Sequence, residues 1–110
     1  MNKYTKAVLA VVGVSLISSY ASSGEQNCEM IKGLAESTMA ARQKEADMLK
    51  MLSLVDAVQF EPAMEAIAKD IVIDAYEQPG WASEERRNKA VKEFTNKWTL
   101  ACVKSLRESN

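Results

Sequence analysis

Histidine is missing altogether from the 110 residues, cysteine and proline occur twice each, glycine four times, and aromatics make up 6% of the chain. Each shortage excludes something. Without His there is no imidazole to act as base in a Ser-His-Asp or Cys-His arrangement, to ligate a metal, or to change charge near neutral pH. So few Gly and Pro, with no stretch of convincing apolar alternation, argue against a chain built from many strands and turns. Long hydrophobic runs are lacking too: a spanning helix needs about 20 apolar residues, and the apolar run from Ala7 to Ile17 is polar again by Ser18. The length fits one small domain and leaves no room for a second.

What is present starts with an address. Lys3 and Lys6 precede that short apolar run, and the small, polar stretch Ser18–Ser23 follows it. Basic, apolar and small segments in this order make a secretory signal peptide, residues 1–21, with cleavage after Ala21 or Ser23. A lipoprotein would need a Cys at the junction, yet Cys28 lies beyond Glu25-Gln26-Asn27. The exported domain, residues 24–110, keeps 12 basic and 15 acidic residues and is mildly acidic. An oxidising compartment gives Cys28 and Cys102 a use. A bridge between them closes a loop of 74 sequence steps, for which chain entropy predicts about 4 to 5 kcal/mol, and so small a core benefits from a staple.

Helical periodicity runs through the rest. Cys28, Ile31, Leu34, Ala35, Thr38, Met39 and Arg42 predict a first helix from near Glu25 to about Lys44. Asp47 is placed to cap a second, over Met48–Phe60, whose polar residues recur every third position and so drift around the axis. That pattern predicts a largely buried central helix or two short pieces. Pro62 suits the first turn of a third helix, with Met64, Ile67, Ala68, Ile71, Val72, Ala75 and Tyr76 as its apolar stripe and Ile73 off it, ending at Gln78-Pro79-Gly80. Ser83 caps a last helix whose buried edge is Ala90, Val91, Phe94, Trp98, Ala101 and Cys102. Glu85, Lys89, Glu93 and Lys97 form an alternating-sign ladder of self-paired, solvated charges. The fold class is all-α: a small single-domain bundle of about four helices, stapled by one disulfide.

Candidate chemistry is thin. Asp70, Asp74 and Glu77 stand on neighbouring turns, as acid–base pairs or hard-cation ligands do, but they equally describe the wet face of a helix. Met48-x-x-Met51, with Met30, Met39 and Met64, offers thioethers for Cu(I); methionine at helical spacing is more often adaptable core. Charge is uneven: Glu25–Glu77 holds eleven acids and five bases, Glu84–Asn110 four acids and seven bases. Arg86, Arg87, Lys89 and Lys92 beside Trp81 and Trp98 have the makings of an anion-binding surface for nucleic acid or lipid. The interspersed acids weaken any phosphate stripe, and an exported protein meets little nucleic acid, so an acidic protein partner or packing within the fold is expected instead.

Ala41-Arg42-Gln43, the segment Ile71–Pro79 with its Asp-Ala-Tyr-Glu-x-Pro core, Glu84-Glu85-Arg86-Arg87, Ala90, Phe94, Trp98 and Cys102 together resemble a group of small uncharacterised proteins with signal peptides from Gram-negative bacteria and their phages. The resemblance covers most of the exported domain. In that group a Gly often follows the Arg-Gln pair before the next helix, where this chain has Lys44-Glu45-Ala46. The resemblance implies an exported helical domain and supplies no activity. Arg42 and Tyr76, with Arg86 and Arg87, are the candidate interaction surface. The expected function is a non-enzymatic periplasmic or secreted module with no cofactor, metal or catalytic residue, binding an envelope protein; a phage-encoded modulator or an immunity protein is the form the resemblance suggests. The alternative is a binder of lipid or a small apolar ligand, with Met48–Phe60 walling its cavity.

Overall fold

A computed structural model describes residues 27–109. The expected signal peptide, its two cleavage positions and Glu25 lie outside the described residues. Four helices follow one another: α1 (residues 27–43), α2 (Met48–Val58), α3 (Pro62–Glu77) and α4 (Glu84–Ser109), with no strand among the described residues. The bundle is all-α, as the periodicity predicts.

The core forms where three stripes meet. Ile31, Ala35 and Met39 of α1, Met64, Ile71 and Ala75 of α3, and Phe94 of α4 make one buried cluster. Met39, Ile71 and Val72 are almost completely enclosed, and burying such side chains stabilises by about 1.5 to 3 kcal/mol each. Cys28 and Cys102 are disulfide-bonded, their Cα atoms 5.6 Å apart, tying the start of α1 to α4.

Local chemistry sets the boundaries. Leaving α1, the Ala46 N–H donates to the Ala41 carbonyl and the Glu45 N–H to the Arg42 carbonyl, the paired closure of a helix that ends on a left-handed residue. Glu45 is that residue, at φ 64°. Asp47 caps α2, its carboxylate accepting from the Lys50 N–H at 3.0 Å. Pro62 opens α3, and Ser83 Oγ accepts from the Arg86 N–H at 3.2 Å at the start of α4.

Three expectations need correction. The second segment is one helix, and only Val55 in it is buried. Val55 joins Ala68 and Val72 of α3, with Met48, Met51 and Leu52 alongside, while Leu49, Leu54 and Val58 are 71%, 55% and 59% exposed. Eleven residues turned toward one neighbour hide half a circumference, and among the described residues nothing covers the other half. On α4, Ala101 is exposed while Thr95 is buried: the inward face is centred near Cys102, which the disulfide turns toward α1. The Thr95 hydroxyl has no hydrogen-bond partner. The ladder on α4 does not close either; Lys97 reaches instead to Asp74 of α3 at 2.7 Å.

Candidate functional site

The residues singled out in the sequence converge on the loop joining α3 to α4. Its conformation is set from α1. Gln43, 7% exposed, follows Met39 by one helical turn and so continues the inward stripe. Its amide donates to the Pro79 carbonyl at 2.9 Å and accepts from the Trp81 N–H at 2.9 Å. Beside it the Arg42 Nε donates to the Gln78 carbonyl at 3.1 Å, and its guanidinium lies 5.4 Å from the centre of the Tyr76 ring. Tyr76 in turn donates its hydroxyl to the Ala46 carbonyl at 2.6 Å, holding the α1–α2 turn. Burial pushes the Tyr76 phenol above its ordinary value, opposed by the Arg42 guanidinium and assisted by the Asp47 carboxylate.

From the other side, α4 closes the loop. Arg87 Nη1 donates to the Ala82 carbonyl at 2.6 Å and to that of Trp81 at 3.3 Å. Arg86 lies 5.0 Å from the Trp81 ring. Asp74 joins α3 to α4: one carboxylate oxygen accepts from Lys97 Nζ at 2.7 Å and from the Trp98 indole at 2.9 Å, and the other from the Gln78 amide at 3.3 Å.

These contacts sort the candidates. Arg42 and Tyr76 meet each other but brace the loop from behind, Arg87 pins its backbone, and Arg86 alone faces an open cavity of about 480 Å³ between the loop and α4. Met39, Pro79, Trp81 and Phe94 give that cavity an apolar floor; Glu85, Lys89 and Glu93 stand on its α4 wall. No residue of Met48–Phe60 lines it. Of the three carboxylates considered for chemistry, Asp74 is engaged with Lys97, Trp98 and Gln78, while Asp70 and Glu77 point to solvent. Among the described residues no group of His, Cys, Asp or Glu gathers as metal ligands, no cysteine is free, and no helix is long and apolar enough to cross a membrane.

Gln43 is the residue that sequence reasoning passed over as a site. Its signal was a polar side chain on the buried stripe, four residues after Met39. No family model, curated protein or solved structure matches the chain.

Proposed function

We propose that this is an exported, non-enzymatic interaction module of the periplasm, which engages a protein of the cell envelope through the cavity between the Gln78–Ala82 loop and α4. The observation that carries this is the Trp81–Arg86 pair, presented in the cavity by a loop whose backbone is tied to Arg42, Gln43 and Arg87. Trp and Arg dominate the energetics of protein interfaces, and a loop already ordered loses little further freedom on binding. The disulfide suits an oxidising compartment. With both thiols bonded, no His in the sequence and Asp74 engaged, the cavity offers docking groups rather than a nucleophile and its base.

The test is capture from periplasmic extract by the purified protein and by a Trp81→Ala/Arg86→Ala double variant. A protein retained by the first and lost from the second, with both variants equally folded by circular dichroism, is the expected result. Partners retained equally by both, or none above background, would overturn the assignment of the cavity.

A further inference from the structure

The α4 wall of the cavity presents Glu85, Lys89, Glu93 and Lys97, each one turn, or about 6 Å, from the next. Lys97 is drawn to Asp74. Among the described residues, Glu85, Lys89 and Glu93 have no ion-pair or hydrogen-bond partner, so a charge sequence of minus, plus, minus faces outward unanswered beside the apolar floor. The facing backbone is in the opposite condition. The carbonyls of Gln78, Pro79, Trp81 and Ala82 and the Trp81 N–H all have partners within the fold. An extended peptide laid along this loop would find those groups occupied, and strand addition depends on free ones. A helix brings its own backbone bonds satisfied and repeats its charges at the same 6 Å step.

Building on the docking cavity proposed above, we infer that its occupant is an amphipathic α-helix of the protein partner, carrying basic, acidic and basic residues at successive turns opposite Glu85, Lys89 and Glu93. The cavity of about 480 Å³ takes apolar side chains projecting from such a helix onto Pro79, Trp81 and Ala90, while the helix itself lies along α4.

The experiment uses the purified protein and two synthetic helical peptides of about 15 residues with one shared leucine stripe. One bears Lys, Glu, Lys at i, i+4 and i+8, the other Glu, Lys, Glu. Each is titrated against the protein and against a Glu85→Lys/Lys89→Glu/Glu93→Lys variant, with amide and Trp81 indole shifts read by NMR. The protein should bind the first peptide about fivefold more tightly, as three modest ion pairs would give, with shifts at Trp81 and Ala90, and the variant should reverse the order. Equal affinities, a preference the variant does not reverse, or shifts confined to other faces would overturn the inference. Concentration-dependent shifts at the cavity without peptide would overturn it as well, by placing a second copy there. Failure here alongside Trp81-dependent capture leaves the docking cavity in place and removes only the helix; failure of capture removes the cavity itself.

Discussion

Around Gln43 the chain holds a loop with directed polar contacts to neighbours 36 and 38 residues away, whereas α2 rests on α3 through apolar side chains and a surface ion cluster. In that cluster Lys69 lies 3.0 Å from Asp56 and 3.2 Å from Glu65, and its ammonium holds the Asp56 carboxyl below the usual range. The polar knot specifies one arrangement, because a buried amide that loses its partner is costly. Apolar packing on one face tolerates sliding, because it is non-directional. We therefore expect the bundle to be most rigid where three helices and a loop meet and most adaptable at α2.

The largest expected effect comes from the staple, which clamps α1 and α4 at the end away from the knot and leaves α2 without a covalent tie. Reduction, or Cys28→Ser with Cys102→Ser, should lower unfolding stability by about 4 kcal/mol, measured in urea. Amide exchange should find α2 the first helix to open in both oxidised and reduced protein. Equal protection of α2 and α1 would erase the contrast between them.

Gln43→Ala comes next. Removing the amide leaves the Trp81 N–H and the Pro79 carbonyl without their partner and should cost about 2 to 4 kcal/mol. Trp81 fluorescence should shift as the loop loosens. A loss near zero would mean that Arg42 and Arg87 hold the loop without it.

Tyr76→Phe removes one hydrogen bond, to Ala46, and should cost about 1 kcal/mol near neutral pH. The folded-state pKa of Tyr76 is raised, so the unfolded phenol ionises first. This contribution to stability should then be fully present below about pH 10 and be lost as pH rises through the folded value. Comparing urea midpoints of the two proteins above pH 10 isolates this part of the decline, which the Phe variant lacks.

Much of this architecture was legible from residue type and spacing. Asp47, Pro62 and Ser83 marked helix starts because capping is a local event within three or four residues, and the stripe from Met64 to Tyr76 has a fixed helical period. The disulfide followed from two cysteines in a chain whose N-terminus reads as an export signal. Gln43 was not legible as the loop's anchor, since a polar residue on a buried stripe does not reveal which distant backbone it meets. Nor was the exposure of α2, because burial of an apolar side chain depends on whether another element arrives to cover it. The α4 ladder was visible as a pattern, but its partner was misassigned: Lys97 finds Asp74 across the helix interface, where Trp98 shares the same carboxylate. Of the four residues expected to share an interaction surface, Arg86 lines the cavity, while Arg42, Tyr76 and Arg87 brace the loop.

The smallest expected effects lie on the outer face of α2 and test the comparison most finely. Leu49 and Leu54 are 71% and 55% exposed, so replacing them removes little area from contact with protein. Leu49→Gln and Leu54→Gln should each change stability by less than about 0.5 kcal/mol, both retaining good helix formers. Val55→Ala, one residue along and buried against Ala68 and Val72, should cost about 1 to 2 kcal/mol by removing methyl groups from the contact. Urea titrations of the three variants give the ratio directly. If the Leu variants cost as much as Val55→Ala, α2 is covered in the protein in solution and its adaptability disappears. If they cost nothing, the one-sided packing of α2 stands, and the specificity of the bundle resides in the Gln43 knot and the staple at its far end.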